Sequence, residues 1–112
     1  MLRKKLYVLI SKPLVPPEQL KPLLATHLDY MIGLEKRGLL FASGPLNEAD
    51  APPSGPGLTI LRVKDAAEAR RIAEAEPFFA HRLRTFELRE WTVMQGTLGV
   101  RVNLSDQSVE VA

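Results

Sequence analysis

Apolar and polar positions alternate along RKKLYVLIS, residues 3 to 11: Leu6, Val8 and Ile10 point one way, Tyr7, Leu9 and Ser11 the other. A period of two with β-branched and aromatic side chains predicts a strand. The segment KPLVPPEQLKP is broken by prolines, and proline deep in a helix removes a hydrogen bond and clashes with the turn before it. A helix is therefore expected to start between Pro17 and Pro22. From there Leu20, Leu24, His27, Leu28, Met31, Leu34 and Glu35 recur at helical spacing, and Gly38 after Lys36-Arg37 supplies a stop. LLFASGP (39–45) predicts a second strand, NEADAPPSGPG a long polar loop, and LTILRVK (58–64) a third strand. Asp65 followed by Glu68 makes a capping box for the helix AAEARRIAEA, whose apolar stripe is Ala66, Ala69, Ile72 and Ala73. Pro77 disfavours helical geometry at Glu76, so the helix ends or kinks there. TFELREWTV (85–93) predicts a fourth strand.

The order is β-α-β-β-α-β, the split βαβ pattern of ferredoxin-like α+β folds, with both helices on one face of an antiparallel sheet. Apolar residues occupy both faces of the strands. Leu9, Tyr7, Leu61, Val63, Trp91 and Val93 are out of phase with Leu6, Val8, Ile10, Leu58 and Ile60. Such a sheet needs a second cover, and a chain of 112 residues has no spare layer. A homodimer packed sheet to sheet is the expectation. The tail alternates at Val100, Val102 and Leu104, turns over SDQS, and alternates again at Val109 and Val111. Residues 95–112 thus read as an extra β-hairpin beside a domain of residues 1–94, pairing with a sheet edge of this chain or of the partner.

Composition narrows the classes of function. There is no cysteine, which leaves no disulfide framework and no cysteine-based zinc site. The apolar run after the basic start, Leu6 to Ile10, is too short for a signal peptide, and no run approaches a membrane span. A cytoplasmic protein without membrane contact is expected. Net charge is +2 and the basic residues are scattered among 13 acids, so a nucleic-acid partner is not expected.

The chemistry-bearing residues are few. His27 lies on the apolar stripe of the first helix, where a hydrogen-bonded core histidine is the plain reading. His81 falls in a turn with Arg82 and Arg84 and reads as solvated. Two histidines and scattered acids give no metal-ligand spacing. Ser43 lacks the GxSxG setting of a serine hydrolase, and the Gly-Pro stretches are turns. Glu76 poses a sharper question. The residue before a proline at the first helical position should cap the helix, and the good caps are Ser, Thr, Asp and Asn. Glutamate is outside that set, so a second role is worth asking for.

THLDYMIGLEKRGLLFASGPL, DAAEARRIAEAEPFFAHRL and FELREW, in that order, resemble the YCII-related family of the dimeric α+β barrel superfamily. The matching pieces are His27, Gly38, the strand end Ala42-Ser43-Gly44-Pro45, the acid-Pro-Phe of Glu76-Pro77-Phe78, and Trp91, spread over about residues 3 to 93. The resemblance implies a ferredoxin-like fold, a dimer, and a cleft in which His27 meets the acid before Pro77 as a catalytic pair. Glu76 stands where the family favours aspartate. Tyr7, Ser43, Gly44, Pro45, Phe78 and Trp91 would line the pocket. Relatives include dehydrochlorinases and, further off, muconolactone isomerases, which implies a small-molecule lyase or isomerase that needs no cofactor. Histidine titrates near neutrality, which suits acid–base work. The alternative is a non-catalytic homodimer that binds a small ligand in the same cleft.

Overall fold

Pro22 decides how the first helical region begins. In the computed structural model, which describes residues 3–111, helix α1 (Pro17–Leu20) is one short turn, a 3₁₀ turn spans Lys21–Leu23, and α2 (Leu24–Lys36) starts only after it. Met1, Leu2 and Ala112, the outermost residues of the two expected segments, lie outside the described residues. At its other end α2 closes as a Schellman motif. Gly38 takes a φ of 74°, its N–H donates to Glu35 O at 3.0 Å, and Leu39 N–H donates to Leu34 O at 2.9 Å.

Four strands form one antiparallel sheet: β1 (Lys4–Pro13), β2 (Leu40–Pro45), β3 (Gly57–Leu61) and β4 (Arg84–Val93), in the order β2-β3-β1-β4. The two central strands are the first of each βαβ half, as the split pattern requires. β3 ends at Leu61 rather than Lys64; the chain leaves the sheet there to bring Asp65 to the start of α3 (Ala66–Ala75). Asp65 caps that helix, its side chain accepting from Glu68 N–H at 2.8 Å. A four-residue helix α4 (Pro77–Ala80) then precedes β4.

The core lies between sheet and helices. Tyr7 faces Leu61 across the β1–β3 pair, and with Leu9, Leu34, Ala69 and Ala73 they form one buried cluster. Alanines at the α3 contact let the helix lie close to the strands. Tyr30, Met31 and Leu34 carry the inner face of α2, whereas Leu24 and Leu28, also expected on the inner stripe, are about half exposed at 46% and 48%. Ala66 of the α3 stripe is exposed as well.

The register corrects the expected assignment of faces. Leu6 pairs with Trp91 and Lys4 with Val93, so Trp91 and Val93 share the face of Leu6 and Val8, away from the helices. Strand alternation fixes two faces per strand; only the pairing says which faces coincide. The tail forms its own two-stranded sheet, β5 (Val100–Asn103) with β6 (Ser108–Val111), and does not join an edge of the four-stranded sheet. The radius of gyration, 15.7 Å, exceeds the roughly 13 Å of a compact chain of this length, consistent with a hairpin that stands off the body.

Candidate active site

The peptide before a proline is confined to extended geometry, and Glu76 obeys with φ −65° and ψ 131°. That bend ends α3 and starts α4 at one residue. Glu76 N–H donates back to Ala73 O at 3.1 Å, while its carbonyl accepts from Ala80 N–H at 2.8 Å. The side chain then divides its two oxygens. Oε2 accepts from the N–H groups of Phe78 and Phe79 at 3.2 and 3.3 Å, so glutamate does cap α4 despite its length. Oε1 lies 2.5 Å from His27 Nδ1. The extra methylene lets one buried carboxylate serve the helix end and the histidine together; only 4% of Glu76 is exposed.

His27 comes to this point because α2 lays positions 27, 30, 31 and 34 against α3, α4 and the sheet. Its ring stacks on Phe78, with centroids 4.4 Å apart and planes 17° from parallel. Phe78 is buried, so the ring is held between a rigid aromatic face and a fixed carboxylate. The contact with Oε1 occupies Nδ1 and leaves Nε2 as the second ring nitrogen. Nε2 has no protein partner among the described residues.

The pair borders a cavity of about 710 Å³ between the helices and the β2–β3 edge. Ser43, Gly44, Pro45 and Phe78 line it together with His27 and Glu76. Ser43 Oγ is 2.8 Å from Thr59 Oγ1, a cross-strand hydroxyl pair set by the Ser43–Thr59 register. A Cβ at Gly44 would meet nothing within 4 Å, so crowding does not explain that glycine.

Two of the residues expected around the pocket are elsewhere. Trp91 is on the opposite face of the sheet, 42% exposed. Tyr7 is a core residue outside the cavity lining; its hydroxyl donates to Glu90 at 3.3 Å, and burial with the Glu90 charge pushes its pKa up. His81 is exposed at the end of α4.

Besides Thr59, the polar lining residues that the sequence did not single out are Tyr30, Ser11 and Arg84. Tyr30 donates to Ile72 O at 2.7 Å, and burial holds its phenol above the usual pKa, so it stays protonated. Ser11 is buried at the far end of β1, where it accepts from Arg84, whose Nε and Nη2 lie 3.0 and 2.7 Å from its Oγ. Arg84 Nη2 also donates to Gly55 O at 2.6 Å. Burial lowers the Arg84 pKa, opposed by the Glu76 charge, yet an arginine stays cationic at any physiological pH. The strand alternation did mark Ser11 as sharing the Tyr7 and Leu9 face; nothing local marked Arg84. Among the described residues no group of three or more His, Asp or Glu side chains could hold a metal. No helix among them is long and apolar enough to cross a membrane.

No curated protein matches the chain. Among solved structures it is similar to 5-chloro-2-hydroxyhydroquinone dehydrochlorinase (TftG) from Burkholderia phenoliruptrix AC1100, in complex with 2,5-dihydroxybenzoquinone. The TM-score is 0.61 and the identity 19%, over 77% of this chain and 93% of that one. At that identity the likeness speaks for the mixed α+β fold. The model of the YCII-related domain matches residues 5–92, leaving only the ends and the tail hairpin outside, and the chain belongs to the YCII-related family.

Proposed function

We propose that the chain is a cofactor-independent enzyme of the lyase or isomerase type, moving a proton on a small molecule held in the cavity. The observation that carries this reading is the 2.5 Å contact between His27 Nδ1 and a buried Glu76 at the cavity wall. In the proposed step Nε2 takes a proton from a hydroxyl or an acidic carbon of the substrate, and Glu76 steadies the imidazolium that forms. On a chlorinated hydroquinone the electron pair left on oxygen moves into the ring and His27 returns the proton to the chlorine-bearing carbon. Loss of a second hydroxyl proton then expels chloride across the conjugated ring, so that HCl leaves overall. In an isomerisation the pair moves along the substrate and His27 returns the proton elsewhere. The family and the likeness to a dehydrochlorinase support this class of chemistry. The test is chloride release from 5-chloro-2-hydroxyhydroquinone, with binding of 2,5-dihydroxybenzoquinone followed by the ring resonances of His27. Binding that shifts those resonances, and turnover lost in His27→Asn, are the expected results. A protein that binds the quinone without perturbing His27, and whose slow turnover survives His27→Asn, would sink the proposal.

One observation favours a second reading, a non-catalytic ligand-binding protein. Glu76 already serves as the cap of α4 and His27 satisfies its remaining oxygen, so the pair has a structural use without chemistry. Quinone binding without turnover in the native chain would select that reading.

A homodimer packed through the face opposite the helices belongs to the same proposal. Val8, Ile10, Leu58 and Ile60 are only half-buried there and Trp91 is exposed, an apolar surface that this chain does not cover. Light scattering at micromolar concentration should give twice the mass of the 12.5 kDa chain; a stable monomer refutes the dimer.

A further inference from the structure

We infer that Arg84 makes the cavity an anion-selective site, taking small ligands with an apolar body and one carboxylate or enolate group. The inference rests on the cavity being the ligand site proposed above, and it concerns what the site accepts, separately from what His27 does. Arg84 opens β4 and its guanidinium reaches the same cavity wall as the His27–Glu76 pair. Its partners are neutral: the Ser11 hydroxyl takes Nε and Nη2, and the Gly55 carbonyl takes Nη2 again. Among the described residues it makes no ion pair. Glu76 acts on it only as a more distant charge, and that carboxylate is already committed to His27 and the α4 cap. The two N–H groups of Nη1 have no acceptor among the described residues.

A half-buried guanidinium with neutral partners has lost part of its hydration without meeting a counter-charge. The fork is nevertheless fixed. Ser11 is 8% exposed. A Cβ at Gly57 would make only ordinary contacts with the fork, 3.4 Å from Ser11 Oγ and 3.6 Å from Arg84 Nη2, so the fork does not depend on that glycine. Gly55 supplies its carbonyl from a left-handed φ of 115°, packed so closely on Pro13 that a Cβ would come within 2.8 Å of its ring. A rigid, incompletely paired guanidinium is suited to an oxyanion, which accepts the Nη1 hydrogens and restores the charge balance. The walls nearby are apolar, with Leu9, Met31, Phe78 and Phe79 among them, so the rest of the ligand is a compact hydrocarbon or aromatic ring.

Benzoate and its neutral analogue benzamide test this on the full chain by calorimetric titration at fixed ionic strength. The native protein should bind benzoate about ten-fold or more tightly than benzamide, the scale of one hydrogen-bonded charge. Arg84→Gln should bring the two within two-fold, and Arg84→Lys should restore most of the preference while breaking the Ser11–Gly55 fork. That rescue separates the role from mere anchoring of the loop before β3, which lysine cannot reproduce. It also keeps the test decisive if the glutamine variant folds poorly. His27→Asn should leave the preference intact whether or not it abolishes turnover, so failure of the proton-transfer proposal and failure of this one give different results. Equal affinities in the native protein, no benzoate binding at millimolar concentration, a preference that survives Arg84→Gln, or one that disappears in His27→Asn would each overturn it.

Discussion

The two faces of the four-stranded sheet are made by alternate residues of the same strands, yet they are finished differently. On the helix side Tyr7, Leu9 and Leu61 are 4%, 3% and 0% exposed. That side also holds polar groups at both ends: Lys5, Glu90 and Thr92 at one end of the β1–β4 pair, and Ser11, Thr59 and Arg84 at the other, where with Glu76 they border the cavity. On the other side Leu6 is buried but Val8, Ile10, Leu58 and Ile60 are half-covered, and Trp91 is exposed. Nor is that face uniformly apolar. β4 contributes Glu87 and Arg89 opposite Ile10 and Val8, and they pair with each other. Burying a polar group is costly unless it is satisfied, so polar residues collected at the cavity end of the covered face point to a ligand. Apolar residues left on the open face point to a protein partner.

Neighbouring residues of β3 should break or sharpen that contrast most strongly. Leu61→Ala empties a fully buried site and should cost about 2–5 kcal/mol at every protein concentration. Ile60→Ala, one residue along on the open face, should cost about 1–2 kcal/mol or less, with a loss that depends on protein concentration if a second copy covers it. Denaturant titrations at several concentrations decide between these outcomes. Equal, concentration-independent losses would erase the difference between the faces.

Glu76→Ala comes next, as the removal of a polar group from the covered side. Phe78 and Phe79 lose their cap and His27 loses its partner, so stability should fall by about 1–3 kcal/mol. A loss below a few tenths, measured by denaturant titration, would mean that water replaces all three contacts and that the site is wetter than its burial indicates.

Both tyrosines are on the covered side, and the pH dependence follows from that. Burial raises the pKa of each phenol above its ordinary value of 10.0. A folded-state pKa above the unfolded one favours the folded protein while the phenol keeps its proton. The contribution is therefore complete below the unfolded pKa and fades as pH rises through the folded one. Melting temperature should be insensitive to these groups up to about pH 10 and fall beyond it. Tyr30→Phe should lose about 1 kcal/mol at neutral pH with the Ile72 hydrogen bond, and show a shallower alkaline fall. An alkaline limb as steep as the native one would remove Tyr30 as a contributor.

The elements were legible wherever a local rule governs them. Asp65 with Glu68, Gly38 after two cations, and proline at 77 each fix a helix end through contacts within a few residues. The site was legible only in part. His27 and Glu76 were found through their setting in an ordered set of short motifs, 49 residues apart. Arg84 was missed because its partners lie 73 and 29 residues away, at Ser11 and Gly55, and pairing across β1 and the loop before β3 is what brings them together. Trp91 was misplaced for a related reason. Alternation gives each strand two faces, but the β1–β4 register alone sets Trp91 beside Leu6 and away from the cavity. The tail shows the limit in another form, since its alternation predicts a hairpin and says nothing of what the hairpin lies against.

Glu76→Asp is the finest cut, because it separates the two jobs of one side chain. Aspartate is the better cap by type, which on sequence grounds alone favours a gain in stability. The structure changes that expectation. Oε2 caps α4 and Oε1 reaches His27 from the same carboxylate, and aspartate withdraws that carboxylate by about 1.5 Å, one carbon–carbon bond. The cap can re-form because Phe78 N–H and Phe79 N–H are close to the backbone of residue 76. The histidine sits on another helix, stacked on Phe78, and cannot follow without leaving that ring. Better capping and a stretched His27 contact should nearly cancel, giving a stability change within about 0.5 kcal/mol of zero. If Glu76 orients a working base, activity should drop by about a hundredfold, the scale set by misplacing a catalytic group by an ångström. Unchanged stability with unchanged turnover would leave Glu76 as a helix cap alone and strip the pair of its proposed chemistry.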